Sequence, residues 1–467
     1  LFLEKPGRRI DMSPTSKNYI STTNACKLCK PLGACIAFRG IEGAVPFLHG
    51  SQGCATYMRR YIISHFREPM DIASSSLGEK HAIYGGGANL KLGLKNVMAK
   101  YHGRLIGVAT TCLTETIGDD VPMIVKEFRR EFPDTIEENG SPELVTVSTP
   151  SYSGTHMEGF HAAIAAVVDQ LAAATEPHEG INLLPGFVSP ADVRYLKEIL
   201  SDFGLSATVL PDISLTLDGP ALKEYEKIPC GGTPLESIKA MAGSRATIEF
   251  GRTIVGKPSA GRLLKSRFSV PLHSMGTPIG LRESDRFFGT LEQISGREIP
   301  VKYSLERGRL VDAYVDGHKY LFGRRAVVYG EEDLVVGLTA FLTEIGIRPV
   351  LCASGGTSGR LGQAVNEVME DLAAEPPVIL EGVDFHEIAE KAESLNPKLL
   401  IGNSKGYHLA RKWGVPLVRV GFPVHDRFGA QRTLHTGYRG AQTLLDNIIN
   451  AILENEQQAS TVGYTYL

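Results

Sequence analysis

Short apolar, β-branched runs recur along this chain, and each is followed by a stretch with the apolar spacing of a helix. The carboxyl-terminal part is the most regular. Ala326–Tyr329 is a run and Glu332–Ile345 a helix; Pro349–Ala353 and Gly359–Ala374 repeat the pair, as do Pro377–Leu380 and Phe385–Ser394. Leu399–Ile401, Lys405–Trp413 and Leu417–Val420 complete the series. Strands this short and this uniformly apolar are buried on both faces. Helices of about 10–15 residues between them allow a parallel sheet rather than hairpins. The feature therefore predicts α/β architecture built from βαβ units.

Two further regions follow the same grammar. Ile181–Leu184, Ala207–Leu210 and Ala246–Phe250 read as strands, with helices at Pro190–Phe203, Pro234–Ala242 and Glu283–Ile294. Upstream, strands are expected at Val45–Leu48, Ile72–Ser75, Leu105–Thr110 and Leu144–Thr149. Helices between and after them are expected at Gln52–His65, Leu90–Tyr101, Val121–Phe132 and His156–Ala174. The chain has 467 residues, room for about three domains at roughly 150 residues each. The expected division is 1–175, 176–300 and 301–467, each a Rossmann-like domain with a parallel sheet flanked by helices.

Charge excludes some functions. With 49 Lys+Arg against 52 Asp+Glu the net charge is −3, so nucleic acid and anionic membrane are not the expected partners. No apolar stretch approaches the ~20 residues needed to cross a bilayer. Leu1-Phe2-Leu3 is followed by Glu4 and by Pro6-Gly7-Arg8-Arg9, without the apolar core of a secretory signal. The start at Leu1 suggests residues upstream of it. A cytoplasmic protein with reduced thiols is the expectation.

The seven cysteines are unevenly placed: Cys26, Cys29, Cys35, Cys54 and Cys112 precede Cys230 and Cys352 by a wide gap. In open parallel sheets, ligands bind beyond the carboxyl ends of the strands. Cys54 follows Val45–Leu48, Cys112 follows Leu105–Thr110, and Ser151 follows Leu144–Thr149, so three donors are expected at one edge of one sheet. Cys29 precedes the first strand and can fold over that edge. Thiolates suit zinc, copper(I) or iron–sulfur clusters, and a serine oxygen joins such a set only as an alkoxide on iron. Cys26-x-x-Cys29 is half of a zinc spacing whose other half is absent. Buried packing thiols remain the third reading. The glycines around Cys54 and at Gly85-Gly86-Gly87 favour a cluster, because they let main-chain amides approach a bulky anion.

Several motifs then carry a resemblance. His49-Gly50-Ser51-Gln52-Gly53-Cys54, His65-Phe66-Arg67-Glu68-Pro69, Thr110-Thr111-Cys112 with Glu115-Thr116-Ile117-Gly118-Asp119-Asp120, and Thr149-Pro150-Ser151 with Gly154-Thr155-His156 occur in order. Pro185-Gly186-Phe187, Glu306-Arg307-Gly308-Arg309-Leu310-Val311-Asp312, Ile401-Gly402-Asn403-Ser404 and Gly421-Phe422-Pro423 follow. Together, from about Thr23 to Ile452, they resemble the β-type subunit of nitrogenase component 1. The resemblance implies three Rossmann-like domains, a homologous α-type partner and an α2β2 heterotetramer. It also implies a P-type [8Fe-7S] cluster shared with the α-type chain, with Cys29, Cys54 and Cys112 as thiolate ligands and Ser151 as a redox-dependent oxygen ligand. An ATP-dependent homodimeric iron protein would deliver electrons, and the catalytic iron–sulfur cofactor would lie in the partner chain, leaving no catalytic residue here. Tyr84 corresponds to an aromatic position near the docking surface, with ordinary packing as its other reading.

The sequence departs from dinitrogen-reducing β chains at Cys26 and at Gly429-Ala430-Gln431. The Gly429-Ala430-Gln431 run resembles both the cofactor-assembly scaffold chain and nitrogenase-like reductases; because every P-type ligand position is filled, methylthio-alkane reductase is the expected member, then dinitrogen reductase, then a scaffold holding a [4Fe-4S] cluster. Other candidates are plainer. Gly355-Gly356-Thr357-Ser358-Gly359 reads as a capped βα turn rather than a phosphate loop. His49, His65 and His425 read as hydrogen-bonded packing residues. Arg59, Arg60 and Arg67 form either a docking edge or solvated helix charges.

Overall fold

The computed structural model describes residues 24–370, 372 and 375–462. The amino-terminal segment read above and the last residues of the helix expected over 359–374 lie outside the described residues. Thirteen strands form three sheets among them. β1 (Ala44–His49), β2 (Ala73–Ser74), β3 (Leu105–Thr110) and β4 (Glu143–Val147) take the order β2-β1-β3-β4. β5 (His178–Leu184), β6 (Ala207–Val209), β7 (Ser244–Phe250) and β8 (Leu272–Met275) take the order β6-β5-β7-β8. β9 (Arg325–Tyr329), β10 (Arg348–Ala353), β11 (Val378–Leu380), β12 (Leu399–Gly402) and β13 (Leu417–Arg419) take the order β11-β10-β9-β12-β13. Every pairing is parallel.

Side-chain alternation explains why both faces of these strands are apolar. In the first sheet Ala44, Leu48, Leu105 and Ala109 enter the main core. Their neighbours Val45, Phe47, Ile106 and Val108 fill a second core on the opposite face. A strand with period-two side chains needs apolar residues at every position to bury both faces. The main core is continuous from Leu28 to Ile452 and includes residues of all three sheets.

The structure adds elements that periodicity did not reveal. Helix Lys30–Arg39 is buried on every side from Pro31 to Arg39, so it carries no polar face and no helical alternation. Strand β8 contains His273 and Ser274, which mask its run. Helices Val301–Leu321 and Gly437–Ala459 pack on each other beside the third sheet. Among the described residues no helix is long and apolar enough to cross a membrane.

Candidate metal centre

The register of the first sheet sets its carboxyl edge flush. His49 pairs with Thr110, and Ala109 with Val147. Since β1, β3 and β4 are adjacent in the sheet, the segments that follow them emerge side by side. Cys54 lies in the first turn of helix Gln52–Phe66, where Ser51 Oγ donates to its sulfur over 3.4 Å. Cys112 opens helix Cys112–Ile117, which Thr111 and Thr114 cap reciprocally. Ser151 opens a single turn after Pro150, and its N–H donates to Cys112 Sγ over 3.2 Å. Two bonds of 2.8 Å between Thr110 and Thr149 hold these two strand ends together.

Cys29 reaches the same edge from outside the sheet. Its segment is hung on strand ends of the third sheet: Cys26 N–H donates to Val383 O over 3.3 Å, and Gly355 N–H to Cys26 O over 3.1 Å. The half-buried Lys405 ammonium donates to Ala25 O and Lys27 O. Leu28 exchanges backbone and ring bonds with His156, whose Nε2 meets Glu331 over 2.9 Å. Beyond Cys29 the chain enters helix Lys30–Arg39, which crosses helix His156–Leu171 at glycines. A Cβ on Gly33 would lie 1.7 Å from His156 O, and one on Gly159 would lie 1.8 Å from Lys30 O. Only glycine permits backbones this close.

The four expected donors are thus brought together. Burial pushes the Cys29 thiol up, a hydrogen bond with the Ser151 side chain pulls it down, and the Cys112 and Cys54 thiols push it up again. Cys29, Cys54 and Cys112 are half-buried, whereas Cys26 is fully enclosed and pushed up to about 12, chiefly by burial. Burial likewise pushes up Cys35 and Cys352. Those three are inert packing thiols.

Among the described residues no three His, Cys, Asp or Glu side chains converge to hold one metal ion. This disfavours the zinc reading, which needs ligands focused on a point. An iron–sulfur cluster takes one thiolate per iron around a body several atoms wide, and it needs N–H donors to sulfur. Thiols after two strand ends, a third brought over them from outside the sheet, an amide already aimed at sulfur and a hydroxyl beside Cys29 fit that group.

The glycine reading needs correction. Gly86 gives its amide to Asp119 at 3.0–3.1 Å, and a Cβ there would meet Asp119 and His49 within 3 Å. Gly50 is packed against Thr111. Gly50 and Gly86 let the sheet edge close on itself, and their amides go to Ser75 and Asp119 rather than to an anion. The Gly355–Gly359 turn is likewise internal: Glu381 accepts from Gly359 and Leu361, and Glu332 from Ser358, each at 3.0 Å. Carboxylates already occupy the place of a phosphate.

His49 and His65 are buried packing residues, whereas the His425 side chain is exposed. His49 bridges Ser75 and Asp119 at 2.9 and 3.0 Å, and His65 accepts from Val424 N–H over 2.9 Å. His425 donates its own N–H to Ser404. Arg59 bonds Met70 O and pairs with Asp71, and Arg67 reaches His425 O. Tyr84 stands 85% exposed beside Ile83 at 79%, which excludes a core packing role. Lys405 and the Gly33–Gly159 crossing escaped the sequence reading. The Asn403-Ser404-Lys405 stretch after β12 was the available signal.

Comparison with known proteins agrees with this geometry. The family model for nitrogenase component 1 type oxidoreductase matches residues 29–453. The molybdenum-iron protein beta chain of Clostridium pasteurianum is 34% identical over 443 residues, covering 94% of each chain. The vanadium-iron protein beta chain of Trichormus variabilis is 34% identical over 457 residues, covering 94% of this chain and 96% of that one. The solved structure of nitrogenase Cp1 at pH 6.5 superposes with a TM-score of 0.90 at 32% identity, over 100% of this chain and 98% of that chain. On fold, matched length and strand-end chemistry together, the chain belongs to the nitrogenase component 1 family of oxidoreductases, as a subunit of the β type.

Proposed function

We propose that this chain is the electron-relay subunit of a nitrogenase-like reductase, and that Cys29, Cys54, Cys112 and Ser151 are its half of a P-type [8Fe-7S] cluster, in preference to a [4Fe-4S] cluster. The observation that carries the reading is the meeting of three half-buried thiols and one hydroxyl on a single strand-end rim. Such a cluster, when bound, supplies one-electron storage. The chain's own part is to hold it. Cys29, Cys54 and Cys112 provide thiolates, the Ser151 amide bonds sulfur, and the Ser151 hydroxyl gives up its proton when it acts as a ligand.

The rim faces outward: Gln52, Gly53 and Tyr152 beside it are exposed. That supports completion by a homologous α-type chain in an α2β2 heterotetramer. The catalytic iron–sulfur cofactor then lies in that partner, and no residue of this chain breaks substrate bonds. The exposed Ile83 and Tyr84 suit docking of an ATP-dependent homodimeric iron protein. We place the domain limits near 175 and 300 and the protein in the cytoplasm.

For the substrate we propose the C–S bond of methylthio-alkanes, on the departures at Cys26 and Gly429-Ala430-Gln431. Dinitrogen is the second reading, favoured by relatives named as molybdenum-iron and vanadium-iron beta chains. The test is anaerobic purification with the partner, followed by iron and sulfide analysis, electron paramagnetic resonance after oxidation, and turnover with ethyl methyl sulfide and with dinitrogen. An eight-iron signal is expected, with thioether-dependent release of an alkane and its thiol (ethane with methanethiol, or methane with ethanethiol). Four-iron centres without turnover would replace the relay with an assembly scaffold, and colourless protein free of sulfide would refute both.

A further inference from the structure

Lys405 follows β12 in the third sheet, and its ammonium reaches across to the segment that carries Cys29 towards the first sheet. It donates to Ala25 O and, over 3.2 Å, to Lys27 O, two residues short of that thiol. Asn403 fixes the base of the side chain. Its amide oxygen accepts from Lys405 N–H over 3.1 Å, and its backbone oxygen accepts from the enclosed Tyr329 hydroxyl over 2.6 Å. The ammonium is therefore held at one place instead of swinging into solvent.

Its charge is not neutralised within the fold. Both acceptors are neutral carbonyl oxygens, and among the described residues no carboxylate pairs with Lys405. The ionisable groups that act on it are the thiols of Cys26 and Cys29. Cys26 is enclosed and stays protonated, because burial pushes it up to about 12. Cys29 opens instead onto the rim it shares with Cys54, Cys112 and Ser151. Lys30 makes a useful contrast: it is adjacent to Cys29 in the chain, but Glu158 and Glu115 act on its ammonium and offset it. A cation half withdrawn from water without a counter-ion costs free energy, and an anion held at Cys29 recovers it.

We propose that the fixed positive charge of Lys405 raises the reduction potential of the cluster held at the thiol rim. The inference rests on the reading of that rim as a cluster site. One-electron reduction adds negative charge beside Cys29, so a nearby cation stabilises the reduced form more than the oxidised one. Water screens this attraction less at a half-buried site than at the surface. Net charge is among the levers that set a cluster's potential. No bond forms or breaks, and Lys405 keeps its proton throughout.

The test is an anaerobic redox titration of the purified holo-assembly with dye mediators, read by electron paramagnetic resonance of the oxidised form. Three variants separate charge from hydrogen bonding. Lys405→Met removes both, Lys405→Gln offers an amide to the same carbonyl oxygens without the charge, and Lys405→Arg keeps the charge. Met and Gln are expected to shift the reduction equilibrium about tenfold towards the oxidised form, a midpoint lower by about 59 mV for one electron. Arg is expected to shift it less than about twofold. Iron content equal to the parent's verifies loading, and if Met fails to load, the Gln–Arg comparison still decides. A Gln midpoint equal to the parent's would assign the effect to the carbonyl bonds and overturn the proposal, as would an Arg midpoint as low as that of Gln. A parent assembly without any cluster signal would overturn the reading of the rim itself, and this inference with it.

Discussion

The amide of Ser151 donates to the sulfur of Cys112 over 3.2 Å, tying the segment after β4 to the segment after β3. The bond uses the backbone, so the Ser151 hydroxyl remains available to Cys29. Ser151→Ala should therefore leave iron and sulfide per assembly at the parent level while altering the spectrum of the oxidised form. Cys112→Ala should lose more than half of the iron. Equal iron in both variants, read by elemental analysis, would remove Cys112 from the ligand set.

The crossing of helices Lys30–Arg39 and His156–Leu171 fixes where Cys29 emerges. Gly159→Ala places a methyl 1.8 Å from Lys30 O, and the helices must part. Overpacking of this kind costs about 3 kcal/mol. A lower denaturant midpoint is expected together with reduced iron content. A stable variant with full iron would show that the crossing does not govern the site.

Lys405 holds Ala25 and Lys27 by their carbonyl oxygens. Lys405→Met keeps the stem and removes the ammonium, leaving two half-buried acceptors without that partner, at about 1 kcal/mol each. The Cys26–Cys29 segment should then open more often. The readout is faster alkylation of Cys26 by iodoacetamide in the anaerobic protein, with Cys352 labelling unchanged as the internal control.

Acid stability depends on His65. Burial lowers its pKa from 6.5 to about 3, so below pH 6.5 the unfolded chain binds a proton that the folded chain refuses. The stability this neutral ring contributes is complete above 6.5 and falls as pH drops towards 3, by at most about 1.4 kcal/mol per pH unit. His49 and His161, also lowered by burial, act in the same sense. His65→Gln offers an amide oxygen to Val424 N–H and does not titrate. Its unfolding free energy should vary less steeply between pH 6 and 4 than the parent's, and an identical slope would assign the acid sensitivity elsewhere.

By itself the sequence determined the α/β class, the order of the elements and the strand-end positions of Cys54, Cys112 and Ser151. Each follows from a local cause: a doubly buried strand is apolar at every residue, and the turn after it is where a parallel sheet presents side chains. Tertiary structure alone decided three other matters. Helix Lys30–Arg39 is enclosed on all sides, which erases the periodicity that betrays a surface helix. Gly86, in Gly85-Gly86-Gly87, serves Asp119, thirty-three residues away. Cys29 joins the rim only because His156, Gly355 and Lys405 hold its segment, and partners so far along the chain leave no trace in the residues around it. Short-range patterning fixes what each segment is; which segments meet depends on burial and hydrogen bonds between parts of the chain hundreds of residues apart.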